Sequence, residues 1–212
     1  MRPPQDDGRA VCFGKINCAS DFTESENNAP MDSQNFKQAM RHCAGAVALV
    51  TVGREKGRRT GLTVTAVCSL SDDPPSLLVC VNRNASAHAR ICEERAFAVN
   101  FLHEEHAALA LTFSGQKGIN GDDRFAFGRW TTGVTGTPIL EDAVAAFDCV
   151  LTQQFETATH SIFVGGVRNV SVSAQATPLL YLRGSFHGAR EIRDALSLGD
   201  VDARRMSWSD FS

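Results

Sequence analysis

The chain has little of what marks several large protein classes. It has no apolar run of membrane-spanning length, and its first residues, M-R-P-P-Q-D-D-G-R-A, lack the apolar core of a signal peptide. A cytoplasmic protein with no membrane partner is the expectation. No C-x-x-C pair occurs among the seven cysteines, so a structural zinc site lacks its usual ligand spacing. No G-x-G-x-x-G follows a strand pattern, which argues against a Rossmann cofactor domain, and G-x-S-x-G and H-E-x-x-H are missing too. His103-Glu104-Glu105-His106 has the wrong spacing for zinc and reads as a solvated helix start, so no metal is expected. The net charge of −3 is slight and gives no electrostatic footprint for a nucleic-acid partner.

At 212 residues the chain is long enough for one domain with a substantial core and tails. Residues 1–32 are polar and unpatterned and read as a flexible extension; 33–189 form the domain, and 190–212 a tail with a thin helical face. Ser33 reads as an N-cap for a helix burying Phe36, Ala39, Met40 and Cys43 on one face. A short strand, Ala46–Val52, precedes a basic turn carrying Arg54, Lys56, Arg58 and Arg59, read as a solvated loop tip. Further on come a helix over 86–94, a strand over 96–102 and a helix over 104–112. The irregular stretch 116–138 is long enough to read as a functional loop. Strands are expected over 140–156, 161–172 and 178–182, with the turn Ala158-Thr159-His160 joining the first two. Hairpins dominate and no βαβ rhythm appears, so the fold class is mainly β, an antiparallel barrel or sandwich. Cys68, Cys80 and Cys149 sit in apolar strand patterns and read as buried thiols.

The densest pattern lies in T-G-L-T-V-T-A-V-C-S-L-S-D-D-P-P-S-L-L-V-C-V-N-R-N-A-S-A-H, residues 60–88. From Gly61 to Ser71 the alternation predicts one strand, with Leu62, Val64, Ala66, Cys68 and Leu70 on one face. The other face carries Thr63, Thr65, Val67, Ser69 and Ser71, four hydroxyls in five positions. The Asp-Asp-Pro-Pro turn leads to a second strand ending at Asn82, and a helix begins near Ser86. Hydroxyls beside a helix start can hold a phosphate, but the same pattern also fits an ordinary hairpin with a polar outer face.

With A-V-N-F-L, D-R-F, G-V-T-G-T-P-I-L, A-A-F-D-C, A-T-H-S-I-F-V-G and P-L-L-Y following in order, the chain resembles the short-chain flavin reductases. These are the FMN-binding split-barrel reductase components of two-component flavin monooxygenases, such as that of 4-hydroxyphenylacetate hydroxylase. The resemblance implies a six-stranded antiparallel Greek-key split β-barrel with short flanking helices, forming a homodimer. It implies NADH- or NADPH-dependent reduction of FMN or FAD, with reduced flavin passed to a separate oxygenase. Carried over by position, Thr63, Val64, Thr65, Ala66, Ser69 and Leu70 would lie along the flavin ring and ribityl chain. Cys80, Asn82 and Ser86 would approach the ribityl and phosphate end, and Phe113, Ser114 and Gly115 would close the pocket. His160 is the expected nicotinamide contact. The family has Gly-Asp-His at this turn, whereas here it is Ala158-Thr159-His160. That change keeps open an alternative, a flavin-binding protein without efficient reductase activity. An oxidase of the pyridoxamine-phosphate type shares the barrel but not the ordered motifs.

Other conspicuous residues carry structural expectations. Arg124 is expected to pair with a carboxylate, and Phe127 and Trp130 to pack in the core or an interface. Tyr181 reads as a packing residue. Asp148 reads as solvent-facing or paired.

Overall fold

The computed structural model of this chain describes residues 31–173 and 176–190. The expected N-terminal extension, up to residue 30, and the helical tail beyond 190 lie outside the described residues. The first element, α1 (Ser33–Met40), is capped by Asp32, whose Oδ1 accepts the Gln34 N–H at 3.0 Å, so Asp32 takes the role expected of Ser33. None of its residues is buried; Phe36 and Met40 face outward.

The strands that follow are β1 (Gly45–Ala46), β2 (Ala48–Val52), β3 (Thr60–Val64), β4 (Val67–Asp72) and β5 (Pro75–Asn82). Next come α2 (Ser86–Glu94), β6 (Ala96–Phe101), a 3-10 turn (Glu104–His106) and α3 (Ala107–Phe113). A second 3-10 turn (Gly121–Ala126) precedes β7 (Trp130–Thr132), β8 (Pro138–Leu140), β9 (Ala145–Glu156), β10 (His160–Val172), β11 (Leu179–Leu182) and β12 (Ser185–Gly188). The stretch expected to be an irregular functional loop holds a 3-10 turn and the short strand β7 but is otherwise irregular, and β12 is an element the sequence pattern did not reveal.

Seven strands form one antiparallel sheet in the order β3-β2-β6-β9-β10-β5-β4. The expected count of six changes because the single hydroxyl-bearing strand is split into β3 and β4, with a bend at Thr65 and Ala66. These two pieces stand at opposite edges of the sheet, yet only two residues link them. Two linking residues span at most about 11 Å. The sheet must therefore curl until its edges nearly meet, but no ladder joins β3 to β4 among the described residues, so it stays open there.

Period-two alternation places a core on each side of this curled sheet. Ala48, Val50 and Val52 of β2 meet Phe97 and Val99 of β6, Val79 and Val81 of β5, and Phe163 of β10. Ala87 and Ile91 of α2 join the same cluster, so α2 covers one end of the curl. The other side of β2 and β6 presents Leu49 and Ala98, which pack with Leu109, Ala110 and Phe113 of α3 and with Ile139 and Leu140 of β8. Asn100 links the layers by donating to Thr51 Oγ1 at 3.0 Å and accepting the Leu140 N–H at 2.8 Å.

The bend changes the register of the faces. Leu62 and Val64 point into the inner core, and after two residues Val67 does so as well. An uninterrupted strand would have put Val67 on the opposite face. Cys68, expected to be buried, is exposed as a result, and so is Leu70, expected to face the flavin. Cys80 is half-buried, while Cys149 is fully buried and its thiol is pushed up to about 12, chiefly by desolvation and then by Asp148. No helix among the described residues is long and apolar enough to cross a membrane.

Candidate functional site

Thr63, Val64 and Thr65 form one wall of a cleft of about 280 Å3. The facing wall comes from α3 and the residues after it, with Leu111, Ser114 and Gln116, and the rim from Tyr181 and Phe186 of the β11–β12 hairpin. Those two rings meet edge-on at 5.6 Å. Thr63 Oγ1 donates to Ala110 O at 2.6 Å, which ties β3 to α3 and leaves the hydroxyl only lone pairs to offer a ligand. Ser114 Oγ donates to Leu111 O at 2.9 Å and is likewise engaged within its own helix end. Gly115 follows with φ +81°, a turn conformation that suits glycine. Phe113, expected to close the pocket, lies instead in the outer core, edge-on to Phe125 at 5.3 Å.

At the bend, Ala66 O accepts the Cys80 N–H at 3.0 Å, so Ala66 and Cys80 are neighbours. Among the described residues no backbone carbonyl accepts from the Thr65 or Ala66 N–H. Two residues beyond Cys80, Asn82 pairs with His160 at the end of the β5–β10 ladder. The sequence-predicted residues therefore fall along one arc: Thr63 to Thr65 in the cleft, Ala66 and Cys80 at the bend, Asn82 and His160 beyond it. Ser69 and Leu70 leave this arc. Ser69 lines an apolar groove with Val67, Phe101, Phe147 and Val170, while Leu70 is exposed.

A second cleft is lined by Asn82, Arg83, Asn84, Ala158 and Thr159. Asn82 Oδ1 accepts the Asn84 N–H at 2.9 Å, folding the loop into α2. The N-cap of α2, Ala85, has no side-chain cap, so the first N–H groups of that helix have no side-chain acceptor. Ser86 Oγ and Thr60 Oγ1 are 2.8 Å apart and fasten this helix start to β3. The turn carrying His160 is set by Thr157, whose N–H and hydroxyl donate to His160 O at 2.8 and 2.7 Å. His160 Nδ1 is 2.8 Å from Thr159 Oγ1, and the ring is exposed. Thr159 thus orients the imidazole through its hydroxyl.

The remaining conspicuous residues serve the scaffold. Arg124 is buried and bonds two carbonyls rather than a carboxylate, Gly61 O at 2.6 Å and Ile119 O at 2.8 Å. Burial pushes its guanidinium below the usual value. Asp148 is buried rather than solvent-facing, accepting from Thr137 Oγ1 at 2.8 Å, from Thr135 N–H at 2.9 Å and from Thr135 Oγ1. Half of the basic turn is engaged: Arg59 grips Asp122 at 2.6 and 3.2 Å, and Arg54 approaches Glu94 at 3.6 Å. Tyr181 and Phe186 are the rim residues of the cleft that the sequence pattern missed. A lone tyrosine in P-L-L-Y-L was the available signal, but the strand pattern around it was indistinguishable from packing.

Residues 40–190 match the family described as the flavin reductase like domain. The chain belongs to this family. As a flavin reductase-like chain it is 42% identical over 161 residues to a protein of Methylorubrum extorquens named FMN reductase (NADH) RutF 1, covering 76% of this chain and 79% of the relative. It is 37% identical over 166 residues to FMN reductase (NADH) RutF of Stutzerimonas stutzeri, covering 78% and 94%. Among solved structures it is similar to BorF, the flavin reductase component of a bacterial two-component tryptophan halogenase. That match has a TM-score of 0.69 and 30% identity, covering 76% of this chain and 100% of that one. The NADH:FAD oxidoreductase SgcE6 of Streptomyces globisporus, solved with NAD and FAD fragments, matches with a TM-score of 0.69 and 28% identity, covering 81% and 99%. The flavin reductase-like match spans every element from β1 to β12, and hence both clefts.

Proposed function

We propose that this chain is an NADH-dependent flavin reductase that reduces FMN or FAD and supplies reduced flavin to a separate oxygenase. The observation that carries this reading is the bend at Thr65 and Ala66, which joins the aromatic-rimmed cleft to the end of the sheet holding Asn82 and His160. The names of its relatives, which specify FMN, FAD and NADH, point the same way.

The residues of the arc suit a flavin. Tyr181 and Phe186 offer apolar edges for a planar ring system, and the Thr65 and Ala66 N–H groups point to donors for its electron-rich edge. Asn82 and the uncapped start of α2 suit the phosphate end. When bound, flavin and nicotinamide supply the hydride chemistry themselves. The protein's part is to hold the two rings in contact, exclude water beneath them, and stabilise negative charge with fixed donors. His160, held by Thr157 and Thr159, is the residue we assign to the nicotinamide. Arg54 and Arg59 are paired within the chain, which leaves less positive charge for a 2′-phosphate and favours NADH over NADPH.

The same reading includes a six-stranded Greek-key split barrel spanning 33–189, with β3 and β4 counted as one bent strand, a homodimer and a cytoplasmic location. The apolar groove of Val67, Phe101, Phe147 and Val170, with Val172 exposed beside it, supports the dimer. Light scattering on the purified chain checks the mass. The function is tested by mixing protein, NADH and excess FMN or FAD and following the nicotinamide absorbance. Flavin binding with no NADH or NADPH consumption above the protein-free rate would replace the reductase with a binding protein.

A further inference from the structure

Away from the flavin arc, the start of α3 carries a cluster that the reductase reading does not use. We propose that His103, His106 and Asp142 form a binding site for a late first-row divalent cation, with zinc the best match to two imidazoles and one carboxylate.

The geometry comes from two fixed segments. His103 precedes the 3-10 turn and His106 closes it, which brings the two rings together at a 40° tilt with centroids 3.6 Å apart. The backbone of this turn is anchored where the Glu104 N–H donates to Thr177 O at 2.9 Å. Asp142 comes from the link between β8 and β9, where the Ala143 N–H donates to Leu140 O at 3.3 Å. One ligand atom from each of the three side chains lies within 4.8 Å of the others. In a four-coordinate zinc site, ligands at about 2.0–2.2 Å stand roughly 3.3–3.5 Å apart, so the widest pair closes by at most about 1.5 Å.

Two polar atoms of this cluster lack hydrogen-bond partners. Asp142 Oδ1 is 3.3 Å from His106 Nε2, yet Asp142 Oδ1 and His106 Nδ1 are both buried without a hydrogen-bond partner. Buried polar atoms in folded proteins nearly always have one, and an orphaned acceptor beside an imidazole nitrogen is what a shared cation satisfies. Arg129 Nη2 approaches the other carboxylate oxygen, Asp142 Oδ2, at 3.6 Å and leaves Oδ1 to the cluster. His103 Nδ1 accepts the Glu105 N–H at 3.2 Å; ligation through either ring nitrogen gives up that cap, because Nδ1 then carries the metal or the ring proton. A cleft of about 330 Å3, lined by His103, Glu104, Glu105, Asp142, Ser173 and Thr177 among others, opens on the cluster and gives an ion and a completing water a way in. Its two glutamates add negative potential at the mouth.

The test uses the full chain, reduced and stripped with a chelator, titrated with Co2+ and then with Zn2+ in competition. The expected result is one Co2+ per chain, with visible d–d absorption and no thiolate charge-transfer band, which separates this site from the seven cysteines. Asp142→Asn and His106→Ala are expected to weaken binding at least about a hundredfold, and Glu105→Gln less than about tenfold. Zn2+ should also raise the unfolding temperature of the unsubstituted protein but not that of His103→Ala, a readout that survives if His106→Ala does not fold. Absence of Co2+ and Zn2+ binding by the unsubstituted protein, a thiolate band, or equal affinity in Asp142→Asn overturns the proposal.

Discussion

His160 and Asn82 stand opposite each other on the last rung of the β10–β5 ladder. The residue that follows the β9–β10 turn and the one that precedes the loop into α2 thereby share one end of the sheet. Fixing one fixes the other, since the Arg83 N–H also donates to Thr159 O at 3.0 Å. Replacing His160 by alanine removes only the exposed imidazole from this arrangement. We expect His160→Ala to lower kcat/KM for NADH about tenfold while FMN affinity changes less than about twofold. Steady-state kinetics alongside an FMN fluorescence titration measure both. Unchanged kcat/KM would remove His160 from the nicotinamide site.

Tyr181 is 40% exposed and presents its ring at the cleft rim against Phe186. Losing an aromatic contact of this kind costs about 1 kcal/mol, or roughly a fivefold loss of affinity. Tyr181→Ala should weaken FMN binding by that factor, whereas Tyr181→Phe should keep it, since the ring and not the hydroxyl makes the contact. A fluorescence titration of both variants decides the matter; equal loss in the two would contradict a role for the ring.

Gly61 lies in β3 where a Cβ would stand 2.6 Å from Val50 O and 3.0 Å from the Phe113 ring. The first of these is backbone held in the β2–β3 ladder and cannot step aside. Gly61→Ala is expected to destabilise the fold by about 1–3 kcal/mol through overpacking. Urea unfolding should show a lower midpoint with an unchanged slope, and an unshifted midpoint would show that β2 and β3 separate more freely than the packing suggests.

Asp122 is held below the ordinary carboxyl value of 3.8, first by its hydrogen bond from Arg59, while partial burial opposes the shift. Because the folded value is the lower one, the stabilisation is fully present above the unfolded value and is lost as pH falls through the folded value. Stability should therefore be insensitive to this pair near neutrality and decline below about pH 4. Asp122→Asn should flatten that acid limb. Denaturation midpoints measured from about pH 6 down to about pH 3 provide the check, and identical acid limbs in the two proteins would count against the pair.

Much of the strand content was readable because alternation is a local property. β5, β6 and β10 appear near their expected bounds, and the helix over 86–94 falls where the pattern put it, whereas the strand expected over 140–156 begins only at Ala145, Leu140 ending β8 instead. The family was also legible, since a set of segments in a fixed order carries it. The cleft was only half legible. Thr63, Val64, Thr65 and Ser114 were anticipated, but Leu111, Gln116, Tyr181 and Phe186 were not. These four lie on α3, the residues after it and a hairpin far along the chain, and nothing in a local pattern says which strand a hairpin will face.

The sequence by itself determined the antiparallel strand content, the hydroxyl-rich stretch and membership of the flavin reductase-like family. Tertiary structure alone decided what that stretch does. Threonine and alanine fit a straight strand and a bend equally well, so the break at Thr65 and Ala66 leaves no trace in a period-two pattern. The break is set by long-range pairing: β3 must join β2 at one edge of the sheet, while β4 joins β5 at the other. That demand turns Val67 inward, carries Ser69 away from Thr63, and brings Ala66 beside Cys80 on the way to Asn82 and His160.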